Sequence, residues 1–266
     1  MLAGYPEAQE KFQRQFPAFI DEIDRVGPLL QRVFIRTETT RTGIDSKQIF
    51  FLGGAIYQDF QEVLLLVANG LSVGGLKILR KLYEKVVTAA YIEKNPDAAR
   101  DFVDYNAIHE FKLLKRMPAD IQIKLVSKAV LDRIEANFAA VKERFTTKLC
   151  ECGKTGVRGS WTSLDTYSLA LKVDAELSGL YGTAFVLPTL HLHPTAFDLK
   201  ARTDETTSEV SMYADASPHF SIEALMAAHL LVLYMARLHN RYFSLGLNAE
   251  INDAISRYNC CWKPEP

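Results

Sequence analysis

The sequence predicts an all-α protein, a single-domain irregular bundle of about eight to ten helices, and two observations carry that expectation. Apolar residues recur at three- and four-residue intervals along almost the whole chain, and no segment alternates apolar and polar residues as a half-buried strand would. At 266 residues, 48% hydrophobic and 24% charged, the chain is long enough to bury one sizeable core. Residues 1–45 read as an N-terminal helical segment packed on a main helical domain, 46–266.

The elements follow from punctuation between apolar stripes. A first helix runs from about Glu7 to Val26 on Phe12, Phe16, Phe19, Ile20 and Ile23, and Gly27-Pro28 interrupts it before a further helical stretch to about Ile35. After a polar connector, Asp45 or Ser46 caps a long helix through Phe50, Ile56, Phe60, Leu64 and Val67 that stops at Asn69-Gly70. Between Val63 and Ala68 it is apolar all round, which assigns it to the centre of the core. Ser72 to Lys94 and Asp97 to Met117 form the next two helices, parted by Asn95-Pro96 and joined closely enough for an antiparallel hairpin.

Beyond Met117-Pro118 another helix reaches about Phe145, and Thr146 to Ser160 is a loop bearing glycines and cysteines. Helices from about Ser163 to Leu187 lead to Pro188. The acidic, Thr- and Ser-rich stretch from Asp198 to Ser217 reads as an exposed loop. Ser217 or Ser221 caps a long apolar helix to about Ser244, and a short helix carries Ile251 and Ile255.

Composition excludes some functions. A formal net charge of −1 argues against dominant nonspecific binding to nucleic acid or an anionic membrane. Residues 77–158 nevertheless hold 17 Lys and Arg against 11 Asp and Glu, a basic middle between acidic flanks. The N-terminus has no basic start followed by an apolar core, so a cytoplasmic location is expected. The apolar stretches Val63–Ala68 and Ala224–Ala236 are too short, or too interrupted by His229, to span a bilayer, and no membrane helix is expected.

Motifs for standard chemistry are absent. Gly53-Gly54 and Gly74-Gly75 do not match a phosphate-cradling loop and suit closely packed helices instead; no cofactor is expected. There is no Gly-x-Ser-x-Gly elbow and no His-Glu-x-x-His helix. Cys150, Cys152, Cys260 and Cys261 lack zinc-knuckle spacing and read as free thiols, with a four-thiolate zinc site the alternative if the two pairs meet. His191 and His193 alternate, so in an extended segment they would share a face as metal ligands or general bases; a structural histidine at a helix end is the competing reading. His229, amid apolar neighbours, reads as a core histidine.

What remains is a polar cluster on the helical hairpin. Arg80 falls between Val87 and Tyr91 on the apolar side of its helix, while Lys77, Lys81 and Lys85 fan out toward solvent. Glu84 lies one turn on and pairs with it. Tyr105, His109 and Lys112 recur at i, i+4 and i+7 on one face of the second helix. A salt bridge fixing helix register and a functional site both fit this pattern.

Leu79-Arg80-Lys81-Leu82-Tyr83-Glu84 through Tyr91-Ile92, Phe102 to Tyr105, Trp161, Tyr181 and His193-Pro194 resemble a bacterial family known as domain of unknown function 5677, over roughly residues 72–200. The family tends to have serine where this chain has Thr189. The resemblance implies an all-helical cytoplasmic protein without an established activity, with Arg80, Glu84, Tyr181 and His193 as shared polar positions. The chain is also loosely similar to helical proteins of bacterial toxin and phage-defence systems, including HEPN-type ribonucleases. Those rely on arginine followed by four to six residues and then histidine, and no arginine here has a histidine at that spacing.

The sequence therefore leads to one expectation and two rivals. Arg80, Glu84, Tyr91, Tyr105, Lys112, Trp161, Tyr181 and His191 would bind a small anionic ligand or a nucleic-acid element, with His193 or His109 as the proton-transfer group. The rivals are a metal-independent nuclease or phosphoesterase of a defence system, and an interaction module without catalysis. The oligomeric state is open, a homodimer included.

Overall fold

The computed structural model describes residues 4–37, 41–148, 151, 153–200, 203–204, 211–212 and 220–262. In chain order the elements are α1 (Pro6–Gln15), α2 (Pro17–Phe34), α3 (Ile44–Ala68), α4 (Ser72–Lys94), α5 (Ala98–Asp104), α6 (Asn106–Arg116), α7 (Ala119–Leu125) and α8 (Lys128–Val141). A 3-10 turn at Lys142–Phe145 leads into a small antiparallel hairpin of β1 (Thr146–Lys148) and β2 (Thr155–Val157). There follow α9 (Thr166–Val173), α10 (Ala175–Gly179), a π-helical segment at Gly182–Val186, α11 (Leu187–Leu192) and α12 (Ala196–Lys200). A two-residue pairing of β3 (Thr203–Asp204) with β4 (Ser211–Met212) precedes α13 (Ser221–Phe243) and α14 (Asn248–Cys261).

The fold is all-α. Among the described residues two minimal hairpins are the departures, and both lie in segments expected to be loop, Thr146 to Ser160 and Asp198 to Ser217. The chain divides into two compact units: a larger one of residues 1–94 and 166–266, and a smaller one of 95–165 inserted between α4 and α9. Residues 1–45 lie within the larger unit.

α3, α4 and α13 pack together as the core of the larger unit. The central element is α13, not α3. Leu225, Leu231, Val232, Leu233, Met235 and Leu238 are all buried on α13, whereas Leu65, in the stretch of α3 expected to be surrounded, is 66% exposed. By length and composition both helices could cross a membrane, but 72% of the apolar window of α13 is buried inside the protein against 39% for α3.

The break in the N-terminal helices falls at Phe16-Pro17, with Pro17 opening α2, and α2 continues through Pro28. An interior proline costs about 3 kcal/mol. Beyond it, Leu29, Leu30, Val33 and Phe34 are buried at about 1.5–3 kcal/mol each, so their burial outweighs the lost hydrogen bond. The expected caps are used elsewhere. Gly43, not Asp45 or Ser46, precedes α3, and both side chains bond the Tyr242 hydroxyl instead. Asp97 makes no side-chain cap to α5. Ser221 lies inside α13, its hydroxyl 2.7 Å from that of Ser72, and Ser217 is outside the described residues. Lys85 does not fan out to solvent; its ammonium is 2.6 Å from the buried carboxylate of Asp59 on α3.

The glycine pairs split. At Gly53 a Cβ would stand 2.1 Å from the His239 ring, and at Gly75 2.9 Å from Val67, so both mark close approach; a Cβ at Gly54 meets nothing within 4 Å.

Candidate functional site

Arg80 and Glu84 occupy successive turns of α4 in the larger unit. The Arg80 guanidinium lies over the ring of Phe185, 4.6 Å from its centroid. Its Nη2 stands 3.6 Å from Glu84 Oε1, an ion pair beyond full hydrogen-bond length, and its Nε is buried without a partner among the described residues. Burial pushes the Glu84 carboxyl above the usual carboxylate range, against the opposing pull of Arg80.

Phe185 belongs to a cluster of aromatic rings. Phe185 stacks on Tyr181 at 4.9 Å and 16°, and Tyr181 packs on Tyr167 at 4.9 Å. Tyr83 is buried beside them and donates to the Leu177 carbonyl at 2.8 Å; burial, then Tyr181 and Asp174, raise its phenol. Phe185 reaches Arg80 from the π-helical segment. That segment ends at Val186 and runs into the first turn of α11, where Pro188 has no N–H for the preceding turn, and the Thr189 hydroxyl bonds the Phe185 carbonyl at 2.5 Å. The Thr189 hydroxyl is thus engaged with the backbone. Tyr91 is half-buried farther along α4.

His191 and His193 do not share an extended face. Because α11 is helical to Leu192, His191 turns inward and is 1% exposed, while His193 follows the helix end and is exposed. His191 Nδ1 lies 3.1 Å from Asp198 Oδ1, its ring packs on Phe197 and Phe220, and its Nε2 is buried without a partner among the described residues. Among the described residues His193 makes no hydrogen bond or ion pair. The larger unit therefore groups Arg80 with Glu84 and, through Phe185, with Tyr181.

Tyr105, His109 and Lys112 do share a face, in the smaller unit, although the helix is broken at Tyr105 between α5 and α6. The buried Tyr105 ring meets His109 and Phe145 edge-on at 4.8 and 5.1 Å. Its hydroxyl donates to the Arg158 carbonyl at 2.7 Å, and the Lys112 ammonium donates to that hydroxyl and to the same carbonyl at 3.1 and 3.2 Å. Arg158 lies over Phe145 and bonds the Trp161 carbonyl, while Trp161 packs edge-on against Phe102. This arrangement fastens the segment after β2 to α5 and α6, and the Lys112 ammonium is already engaged.

Cys260 is exposed, and burial with the nearby Glu22 pushes the Cys261 thiol up to about 11, so it stays protonated near neutral pH. Cys150 and Cys152 lie outside the described residues. Among the described residues no group of three or more His, Cys, Asp or Glu is placed to hold a metal ion.

Phe185 and Tyr167 had no place in the expected site. The i, i+4 spacing of Tyr181 and Phe185 was the available signal, but the π-turn decides which ring meets Arg80, and spacing alone does not show it. No curated protein and no solved structure matches the chain. A model of a family of unknown function, DUF5677, matches residues 49–210, which include α4, the smaller unit and the aromatic segment around Phe185, and the chain belongs to that family.

Proposed function

We propose that the larger unit binds a small anion carrying a planar ring, of the nucleotide class, at Arg80, Glu84, Tyr167, Tyr181 and Phe185. The observation that carries this reading is the condition of Arg80: the Phe185 ring fixes its guanidinium, while its one carboxylate partner among the described residues stands at 3.6 Å. A guanidinium held on an aromatic face presents its planar fork to phosphate or carboxylate with little further ordering. Tyr167, 42% exposed, and the Tyr181–Phe185 stack supply flat faces for a base, worth about 1–3 kcal/mol per stacked base. The near-neutral net charge favours a small ligand over a long polyanion.

The test is calorimetric titration with a nucleoside monophosphate and with inorganic phosphate. Arg80→Ala is expected to weaken nucleotide binding about 100-fold, the loss of one charge-assisted bidentate contact of about 3 kcal/mol, with unchanged helicity. Arg80→Lys restores only part of it, since lysine lacks the fork. Because protonating Glu84 removes the competing negative charge, binding is expected to tighten as the pH falls through its raised titration. Wild-type affinity in Arg80→Ala sinks the reading, and unfolding of that variant makes the Arg80, Glu84 and Phe185 group a helix lock.

A further inference from the structure

Tyr5, Ala8, Phe12 and Phe16 recur at three- and four-residue spacing along α1 and its two ends, and all four line a cavity of about 580 Å³ that reaches across to Val67 and Ser221. None of the ten residues of α1 is buried, so this stripe forms a wall and not a packed interface. Protein interiors leave few voids larger than a water molecule, whereas ligand sites measure about 300–1,000 Å³.

The wall is anchored at its rim and so does not collapse into the space. Buried Asn69 accepts on Oδ1 from the Tyr5 N–H at 3.1 Å and from Gln9 Nε2 at 2.9 Å, and its Nδ2 donates to the Leu65 carbonyl at 2.8 Å. At Gly4, φ is +95° and a Cβ would stand 1.8 Å from Asn69 Oδ1, so glycine lets the chain reach this anchor. The Phe12 ring rests on Phe16 and Phe19, at centroid distances of 5.3 and 6.5 Å. A free helix of this length is marginal in water, so these contacts are what position it.

We infer that this cavity binds a medium-chain carboxylic acid, with the alkyl chain laid along α1 and the carboxylate at Lys11. From Tyr5 to Phe16 the wall is about 16 Å long, which an extended decanoate chain matches. Ala8, Phe12, Phe16 and Val67 give that chain an apolar bed. Charge selects the head group. Glu7 and Lys11 both stand on the wall, and among the described residues neither forms an ion pair. Glu7 lies in the first turn of α1, where unpaired backbone N–H groups offset its charge; Lys11, one turn on, has no such offset, so the wall favours an anion. This ligand differs in kind from the one proposed at Arg80, carrying a flexible chain where that one carries a flat ring.

Calorimetric titration of the full chain with octanoate, decanoate and tetradecanoate, each below its micelle-forming concentration, is expected to show one site. Decanoate should bind about tenfold more tightly than octanoate, through its extra methylene groups, and tetradecanoate no more tightly than decanoate, because the added carbons run past the wall. Lys11→Glu should weaken decanoate binding about tenfold with unchanged circular dichroism. Ala8→Trp should abolish it by filling the cavity with an indole, and loss of fold in either variant leaves the other to decide. No heat on adding decanoate, affinity that keeps rising to tetradecanoate, or wild-type affinity in both variants would each overturn the inference. So would decanol or decyltrimethylammonium binding as tightly as decanoate, since the head group would then not be an anion. None of these readings involves Arg80, so the proposal made for that residue stands or falls separately.

Discussion

Gly53→Ala is expected to destabilise the protein by about 2–4 kcal/mol, while Gly54→Ala, one residue on, stabilises it by about 0.5–1 kcal/mol. The same methyl group has opposite effects because the two positions face opposite ways. At Gly53 it would stand 2.1 and 2.2 Å from His239 Cε1 and Nε2, closer than carbon and nitrogen can approach. The imidazole cannot retreat cheaply. Its Nε2–H donates to the Ile49 carbonyl at 2.9 Å, its Nδ1 accepts from Arg36 Nη2 at 3.2 Å, and Phe34 and Phe243 each pack against it at 5.1 Å. Shifting the ring leaves a buried carbonyl and a guanidinium short of a partner, at about 1–3 kcal/mol for each group. At Gly54 the methyl meets nothing and only reduces the freedom of the unfolded chain. Urea unfolding followed by circular dichroism measures both, and equal midpoints for the two variants would disprove the close approach.

Acidification from pH 7 toward 4.5 is expected to remove a large part of the stability, through His229 and His239. Burial is the main cause that lowers each imidazole to about 4, with Arg257 adding to the effect at His229; at His239 the Ile49 carbonyl opposes it and Arg36 adds to it. In the unfolded chain both titrate near 6.5. Between pH 6.5 and about 4 the unfolded state therefore binds protons that the folded state refuses, so stability is complete above 6.5 and falls as the pH drops. The loss is on the order of 3 kcal/mol per histidine, against a total of about 5–15 kcal/mol for a typical domain. Urea midpoints at several pH values should show a shallower decline in His229→Gln and in His239→Gln than in wild type. Identical slopes in all three proteins would assign acid sensitivity to other groups.

The helical class was legible because burial on one side of a helix writes its period directly into the sequence, as in Phe19, Val26, Leu29 and Val33 of α2. Where several terms compete, local pattern was a poor guide. Pro28 looks like a terminator until the burial beyond it is weighed, and Asp45 and Ser46 look like caps until Tyr242, nearly two hundred residues away, takes both. The pairing of Arg80 with Glu84 was readable from adjacency on one turn. Its stacking on Phe185 was not, since that contact joins α4 to a segment a hundred residues distant. Spacing put Tyr105, His109 and Lys112 on one face, yet the Arg158 carbonyl that Tyr105 and Lys112 share belongs to a segment with no helical period to read.

The π-helical segment at Gly182–Val186 has one more consequence. A wide turn holds a surplus residue relative to an α-turn, and every side chain beyond it is out of phase by about 100° with those before it. Removing a single residue between Tyr181 and Pro188 would rewind that turn and swing His191 out of its buried place against Phe220, whatever residue was lost. Chain length in this short stretch is therefore as much a constraint on the protein as residue identity: substitutions there change a contact, but a one-residue deletion re-aims a whole helix.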